Sequence, residues 1–451
     1  MTNSTTGAPE EMRDPNVTPP MGQAIPLGIQ HVLAMFASNV TPSVIVAGAA
    51  GLAFGSSEQV YLIQMAMLFA GIATLFQTIG MGPIGARLPI MQGTSFAFVG
   101  VLAGIAATQG LGVALTSCLI GGIIHFLLGG FIKNLRFMFP PLVTGLVILA
   151  IGLYLIPVAI KYAAGGAATF QMEAASFGSM MHWFAALTVV VVSLVCKFMG
   201  RGLVSSAAIL IGLVAGYVVA WAMGMVNFGA VAKAGFFQIP TVFPYGFEFS
   251  LAAVFGVTLV SIVSAIETVG DTSATTKAGA GRDATDEEVS GATYADGLGT
   301  AVAAVFGGLP NTSFSQNVGI VGMTGIMSRH VVTIAGIIMI VCGLIPKVGA
   351  MIASMPLPVL GGGVIVMFGM VAAAGMNMLS SVQMSRRNMI IISVSLAVGL
   401  GLNLVPSAVQ YLPGIWKTLA TSAVAPTAVL AVVRMLKNLK QSTRKLDTIL
   451  A

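Results

Sequence analysis

The chain is organised around PNTSFSQNVGIVGMTGIMSR, residues Pro310 to Arg329. It combines a proline, three glycines and a cluster of Ser, Gln and Asn side chains in a window of membrane-spanning length. A continuous membrane helix satisfies its own backbone hydrogen bonds, and irregular backbone at membrane depth is tolerated only where it lines a cavity. The stretch therefore predicts a helix interrupted to hold a polar ligand, and we expect it to form a substrate site with Glu267.

The rest of the chain has the composition of an integral membrane protein. Its 451 residues are 57% hydrophobic and 8% charged, against about 25% charged residues in soluble domains. We attribute the net charge of +6 to membrane orientation rather than to a nucleic-acid partner. The polar N-terminal residues predict no cleavable signal peptide. The three cysteines have no Cys or His partners nearby in the sequence, so we expect no metal and no cofactor.

Apolar runs of about 20 residues predict fourteen membrane spans in two sets of seven. The first set is placed near Ala24–Ala47, Val60–Ile79, Ile84–Ala107, Leu111–Phe131, Leu142–Ile160, His182–Met199 and Leu203–Met225. The second set is placed near Phe249–Gly270, Tyr294–Phe306, Phe314–Met327, Val331–Ile345, Val359–Ala374, Met389–Leu404 and Ile415–Leu436.

Basic residues give an independent prediction of orientation. With the N-terminus inside, all but four of the 20 Lys and Arg residues fall on the cytoplasmic side; the four are Lys161, Lys233, Lys347 and Lys417. Such a bias follows the positive-inside rule. Both termini are therefore predicted to be cytoplasmic.

The two sets of seven also repeat a sequence pattern. Thr94-Ser95-Phe96 recurs as Thr312-Ser313-Phe314 at an offset of 218, and Pro141 with Gly145 recurs as Pro358 with Gly362 at an offset of 217. Because seven is odd, the second copy must enter the membrane from the opposite side. The sequence thus predicts an all-α integral membrane protein with a 7+7 inverted repeat, whose spans 3 and 10 are interrupted near the midplane. An extended segment followed by a half-helix is expected in span 10, and half-helix N-termini would supply amide donors to a ligand.

Three acidic residues lie inside or at the rim of the apolar spans: Glu267, Asp271 and Asp296. An ionised carboxylate at mid-helix costs about 2.5 to 3.5 kcal/mol, so each needs a compensating role. The alternative is a helix-end carboxylate that reaches water, and it has more weight for Asp271 and Asp296, which lie nearer the predicted span ends. Glu267 and Asp271 share one helix face, and Gly270 would allow a neighbouring helix to approach closely.

The polar groups of this region are suited to a flat heterocycle with ring N–H groups and carbonyls. Glu267 offers two acceptor oxygens, and the amide of Gln316 offers a donor and an acceptor. Phe96 could stack on the ring, with a lipid-facing position as the alternative. His31 could relay protons or hold an Asp or Ser partner, with a structural core role as the alternative.

At these residues the chain resembles the nucleobase-ascorbate transporter family, also called nucleobase:cation symporter family 2. The motifs that carry the resemblance are Gln316-Asn317-x-Gly319 with Thr324, Glu267-x-x-Gly270-Asp271, the acid Asp296, the Gln92–Phe96 segment and His31. The resemblance runs from about Gln30 to the last span.

The resemblance implies a mobile core domain and a gate domain. The core would comprise residues 24–138 and 249–354, the gate residues 139–248 and 355–436, with cytoplasmic tails at 1–23 and 437–451. It further implies a homodimer in the cell membrane. Glu267 and Gln316 would hold the base, and backbone amides near Phe96 and Ser315 would add hydrogen bonds. The implied site also includes Ser95 and Phe314 at the substrate, and His31, Asp271, Asp296 and Asn317 in support or in proton coupling.

The resemblance implies import of xanthine or uric acid by proton symport, with protons favoured over sodium as the coupling ion. Uracil permeases of the family tend to have Glu at the position of Gln316, and a uracil-type permease is one alternative. An anion exchanger of the same inverted-repeat architecture is another. No nucleophile–base constellation or metal-binding motif is present in the sequence, so we expect no enzymatic activity.

Overall fold

The computed structural model describes residues 10–132, 140–166 and 176–433, most of which are helical. The first half contains α1 (Met21–Ala49), α2 (Ser57–Ile79), β1 (Gln92–Thr94), α3 (Val99–Gln109), α4 (Leu111–Gly129), α5 (Pro141–Ala163), α6 (Met180–Met199), α7 (Leu203–Ser206), α8 (Ala208–Ala222) and α9 (Gly229–Lys233). The second half contains α10 (Leu251–Ala280), α11 (Asp286–Val305), β2 (Asn311–Ser313), α12 (Ser315–Thr324), α13 (Arg329–Leu344), α14 (Pro346–Ala353), α15 (Leu357–Ser380), α16 (Arg386–Leu404), α17 (Gly414–Thr421) and α18 (Val424–Val433).

Eight helices in the described ranges are long and apolar enough to cross a membrane, or nine if α13 and α14, bent by 80°, form one span. Helix α11 does not join them because it is less apolar, with Asp286, Glu287 and Glu288 in its first turn and Asp296 near its middle. The other predicted spans are divided into shorter elements: β1 with α3, α7 with α8, β2 with α12, and α17 with α18. Every predicted span therefore contains helix, while the count of fourteen membrane crossings stays a prediction.

The structure corrects the sequence prediction at several points. The chain is not entirely α-helical, because β1 and β2 pair in a two-stranded sheet. The helix of the predicted ninth span, α11, begins at Asp286 rather than near Tyr294. The prediction missed its acidic first turn because charged residues lower the hydropathy on which spans are recognised. The fourteenth segment is broken after Thr421, and its predicted end at Leu436 lies outside the described residues, as do Lys133 and Arg136.

Long helices from the two halves pack against each other in three pairs, α5 with α15, α2 with α13 and α4 with α11. Glycines make these crossings close. A Cβ on Gly71 of α2 would lie 2.4 Å from the carbonyl oxygen of Gly336 in α13. Small residues of this kind let helix backbones approach each other closely. In a membrane, helix association depends on such packing because lipid provides no hydrophobic driving force. The core is thus assembled between the halves rather than within either one.

Among the eight long apolar helices, α6 and α16 are the least covered, and they present mainly apolar side chains to the surroundings. Phe184, Phe198 and Met199 of α6 are among the most exposed large hydrophobic residues. An apolar outer surface is what a bilayer requires of a membrane protein.

The N-terminal segment is fixed to the linker between α12 and α13. The backbone amide of Met327 donates to the carbonyl of Met12 at 2.8 Å, and the amide of Arg329 donates to the carbonyl of Pro15 at 2.9 Å. The Ser328 hydroxyl donates to the carbonyl of Val17 at 2.6 Å. This part of the predicted N-terminal tail therefore packs against the second half of the chain.

Candidate functional site

The site is built around the pairing of β1 with β2. The strands are antiparallel, with Gln92 opposite Ser313, Gly93 opposite Thr312 and Thr94 opposite Asn311. Beyond the ladder, the Ser95 amide donates to the Pro310 carbonyl at 2.8 Å. The extended backbone of each predicted interrupted span thus satisfies its polar groups with the other, as membrane depth requires.

Polar side chains from the long helices hold the two strands in place. Asn39 of α1 accepts from the Thr94 amide at 2.8 Å, and its own amide donates to the Ala66 carbonyl at 3.0 Å. The Thr74 hydroxyl accepts from the Gln92 amide at 2.9 Å, and the Thr300 hydroxyl accepts from the Asn311 amide at 3.0 Å. None of these three helix residues was assigned from the sequence, although each is a polar residue inside a predicted span.

A cavity of about 320 Å³ adjoins the strand pair. Five of the six residues predicted to bind substrate line it: Phe96, Glu267, Phe314, Ser315 and Gln316. The opposite wall comes from α5 and α15 through Ile148, Ile151, Met370 and Val371. The sixth, Ser95, is buried, and it is not among the residues that line the cavity.

The cavity opens to the surface at one end. Its lining residues Lys197 and Met323 are exposed, and a hydrogen bond of 2.7 Å from the Gln30 amide to the Ser206 hydroxyl lies near that end. In the predicted orientation Lys197 belongs to the cytoplasmic side.

Glu267 is the acid that faces the cavity. It lies in the middle of α10, and its Oε2 is buried without a hydrogen-bond partner among the described residues. A buried carboxylate oxygen left unpaired is costly. The geometry therefore favours a ligand that donates a hydrogen bond to this oxygen.

Asp271 connects α10 to the β2–α12 junction. Its Oδ2 accepts from the Ser313 hydroxyl at 2.8 Å and its Oδ1 accepts from the Ser315 hydroxyl at 2.7 Å. Because α10 continues to Ala280, Asp271 lies well inside the helix and is buried, so the helix-end alternative is wrong for it. Nearby Gly270 packs against Thr144 of α5, where a Cβ would lie 2.8 Å from the threonine methyl, so a neighbouring helix does approach closely here.

Asp296 connects three elements and is fully buried. Its Oδ1 accepts from the amides of Gln77 at 3.0 Å and Gln92 at 2.5 Å, and its Oδ2 accepts from the Thr268 hydroxyl. The helix-end alternative is wrong here too, because α11 extends on both sides of Asp296. Gln77 and Thr268 were not assigned from the sequence.

Asn317 and His31 form a pair behind the cavity. The Asn317 amide lies 3.0 Å from His31 Nδ1 and 3.0 Å from the His31 carbonyl oxygen. Both residues are buried. At this nitrogen His31 therefore has an Asn partner instead of the Asp or Ser considered from the sequence, and the contact fixes α12 against α1.

Phe96 is buried rather than lipid-facing, and it packs against the opposite wall. Its ring meets the ring of Phe368 in α15 edge-on, with 5.2 Å between centroids and 88° between planes. Its carbonyl accepts from the Tyr154 hydroxyl of α5 at 3.1 Å. The sequence offered no signal for Tyr154, an aromatic residue in an aliphatic helix.

The N-terminus of α12 supplies donors to the cavity. The backbone amides of Ser315 and Gln316 have no hydrogen-bond partner among the described residues, and both residues line the cavity. Helix N-termini carry partial positive charge and free N–H groups. Together with the Glu267 carboxylate and the Phe96 ring, they bring hydrogen-bond donors, acceptors and an aromatic face to one cavity.

The fold has solved counterparts. The transmembrane domain of the cyanobacterial bicarbonate transporter BicA superposes with a TM-score of 0.62 at 14% identity, covering 93% of this chain and 98% of that one. Murine Slc26a9, an anion transporter in the inward-facing state, gives a TM-score of 0.59 at 12% identity, covering 93% of this chain and 69% of that one. At these identities the likeness concerns the fold alone.

Sequence relatives are closer. The chain is 37% identical over 404 residues to the uric acid permease PucK of Bacillus subtilis, covering 89% of this chain and 92% of the relative. It is 34% identical over 429 residues to a xanthine permease of the same organism, covering 94% and 96%. It is 32% identical over 434 residues to the xanthine permease XanP of Escherichia coli, covering 92% of each.

Residues 22–408 match the model of the Permease family, Xan_ur_permease. The resemblance carried by the Gln316, Glu267 and Asp296 motifs is thereby confirmed. The chain belongs to this permease family, the nucleobase-ascorbate transporters, and is a multi-pass membrane transporter rather than an enzyme.

Proposed function

We propose that the protein imports a purine base, xanthine or uric acid, by proton symport. The observation that carries the proposal is the unpartnered Oε2 of Glu267 in a cavity that also receives the α12 N-terminus and the Phe96 ring. An oxopurine carries ring N–H groups and carbonyl oxygens in one plane. The relatives, which are uric acid and xanthine permeases, support this substrate class.

The side chains would share the base as follows. Glu267 would accept from a ring N–H, and the Gln316 amide would pair with a neighbouring N–H and carbonyl. The amides of Ser315 and Gln316 would donate to an exocyclic oxygen. Phe96 would pack against the ring, with Phe314 beside it. Ser95 would act indirectly, by fixing the end of β1 through its backbone hydrogen bond to Pro310.

The antiparallel pairing of the two strands supports the inverted repeat. The segments that carry the repeated Thr-Ser-Phe motif lie side by side and run in opposite directions, with Gly93 opposite Thr312 and Thr94 opposite Asn311. Two copies of opposite topology are expected to meet in this antiparallel sense. We take this as support for seven spans in each half, with spans 3 and 10 interrupted near the midplane.

The cavity lies between the proposed domains. One wall belongs to the core, residues 24–138 and 249–354, and the other to the gate, residues 139–248 and 355–436. Transport would proceed by movement of the core against the gate, exposing the site first to one side and then to the other. Since the cavity opens beside Lys197, we assign this structure to the inward-open state, with both termini cytoplasmic and the protein a homodimer in the cell membrane.

Proton coupling is supported by the distribution of charge. Glu267, Asp271 and Asp296 are clustered acids, while Lys197, at the mouth, is the only cationic residue that lines the described part of the cavity. Asp271 and Asp296 already receive hydrogen bonds, with His31 and Asn317 close behind, whereas Glu267 has a free oxygen. A proton taken up with the base would remove the cost of carrying a buried charge across the membrane.

We expect labelled xanthine uptake to be competed by urate and not by uracil, and to collapse when a protonophore is added. Competition by guanine and hypoxanthine would define the purine range. The matched measurement replaces the proton gradient by a sodium gradient. Uptake that persists with the protonophore and follows sodium would contradict proton coupling, and competition by uracil alone would favour the uracil-type permease.

Replacing Gln316 by alanine is expected to lower purine uptake about tenfold or more, because a paired donor and acceptor are lost together and their partners on the base stay unpaired. Initial-rate uptake over a range of xanthine concentrations measures the effect. Gln410→Ala, at an exposed position outside the cavity, is the control. Unchanged uptake in Gln316→Ala would remove this residue from the site.

Anion exchange is the second candidate, favoured by the fold of BicA and Slc26a9 alone. A carboxylate such as Glu267 facing the cavity would repel an anion. Bicarbonate or sulfate gradients are therefore expected not to drive transport in proteoliposomes.

A further inference from the structure

Tyr154 is a buried tyrosine of α5 whose hydroxyl bridges two backbone groups of the opposite wall. It donates to the Phe96 carbonyl at 3.1 Å and accepts from the Gly100 amide at 3.2 Å. The hydroxyl thus acts as a donor and as an acceptor at once. The bridge therefore fixes the short segment between β1 and α3.

The approach of α5 to this segment is close. A Cβ on Gly100 would lie 3.2 Å from Cε2 of Tyr154. From the other gate helix, α15, Phe368 contacts the Phe96 ring. Both gate helices thus contact Phe96, the aromatic residue between β1 and α3 that lines the cavity.

Tyr154 itself does not line the cavity, although Ile148 and Ile151 of the same helix do. It lies one turn further along α5, away from the mouth at Lys197. At α12 the first amides are free to meet a ligand, whereas at α3 the Gly100 amide is already occupied by a residue of the gate. The bridge is therefore a contact between domains on the closed side of the cavity.

We propose that Tyr154 is a positioning residue that holds Phe96 in place for the substrate and keeps the side opposite the mouth closed. The inference rests on the proposed movement of core against gate. The bridge stabilises the inward-open state and breaks when α3 moves away from α5. Movement of the gate is thereby linked to Phe96, the residue that packs against the base.

The test removes only the hydroxyl. In a background with Cys118, Cys196 and Cys342 replaced by alanine, Met323→Cys places a thiol at an exposed position of the cavity. Its rate of reaction with a maleimide in detergent reports how often the cavity is open on this side. Tyr154→Phe is expected to slow labelling, by up to about tenfold, because the inward-open state alone loses the bridge.

Tyr162→Phe is the matched control, since Tyr162 is also buried in α5 and makes no contact with Phe96 among the described hydrogen bonds. Gly100→Ala, which crowds the tyrosine from the core side, is expected to act like Tyr154→Phe. Size-exclusion elution of each variant verifies folding. Equal labelling rates in Tyr154→Phe and the background, faster labelling in Tyr154→Phe, or equal slowing in both tyrosine variants would each overturn the proposal.

Because labelling needs no substrate, its outcome is independent of the substrate assignment. If the unmodified protein does not take up purines, the proposed function is contradicted, but the labelling rates can still be compared. Should labelling slow as expected, the KM for purine is also expected to rise in Tyr154→Phe, since Phe96 loses its anchor, and to stay unchanged in Tyr162→Phe.

Discussion

Replacing Glu267 by glutamine is expected to reduce purine uptake to background. The substitution keeps the size of the side chain but places an amide where the cavity offers an unpartnered carboxylate oxygen. A hydrogen bond to a charged group contributes about 1.5 to 3 kcal/mol, which corresponds to roughly a 10- to 150-fold loss of affinity. The amide also cannot take up a coupling proton at neutral pH. Both effects act in the same direction.

The measurement is radiolabelled xanthine uptake in cells, with membrane insertion verified by surface quantification. Glu248→Gln, at an exposed residue before α10, is the control and is expected to transport normally. Wild-type uptake by Glu267→Gln would contradict the proposed substrate site. Binding that survives without accumulation would instead assign Glu267 to coupling alone.

Gly93→Ala is expected to abolish transport through the strand pair. A Cβ at Gly93 would lie 2.4 Å from the Phe314 ring and 2.7 Å from Asn39 Oδ1. Overpacking a filled interior typically costs about 1 to 3 kcal/mol. Here the atoms that must move are a cavity-lining ring and the amide side chain that holds β1. Both the thermal stability in detergent and purine uptake are therefore expected to fall.

Gly104→Ala is the matched control, because no atom lies within 4 Å of the Cβ that it would add in α3. Alanine in a helix is favoured over glycine by about 0.5 to 1 kcal/mol, so this variant is expected to be at least as stable as the unmodified protein. The two variants are compared by melting temperature and by uptake. Equal stability of both would contradict the prediction and show that the strand pair tolerates a side chain at Gly93.

The long helices could be predicted from the sequence because hydropathy reports directly on the cost of placing side chains in lipid. The site residues Glu267, Gln316 and Phe96 could also be brought together, since the Thr-Ser-Phe repeat relates the two broken segments. Hydropathy fails where a helix begins with charge. It therefore placed Asp296 near a span end, whereas α11 begins at Asp286 and buries Asp296 near its middle.

The contacts that fix the site could not be predicted, because they join residues with no common sequence pattern. Asn39, Gln77 and Tyr154 each lie in an apolar run, and only the three-dimensional arrangement selects their partners. The pairing of His31 with Asn317 belongs to the same class, since a lone histidine gives no indication of its partner. Burial within a run indicates that such a residue needs a partner, and the fold decides which one.

The pairing of β1 with β2 also constrains how the protein is made. The backbone of Thr94 cannot be paired until Asn311 has been synthesised. At about 5 to 20 residues per second, the ribosome needs roughly 10 to 40 s to synthesise the intervening chain. An extended strand cannot remain unpaired in hydrocarbon during that time. The first broken segment is therefore expected to enter the bilayer late, and a nascent chain arrested before Pro310 should leave it accessible to protease.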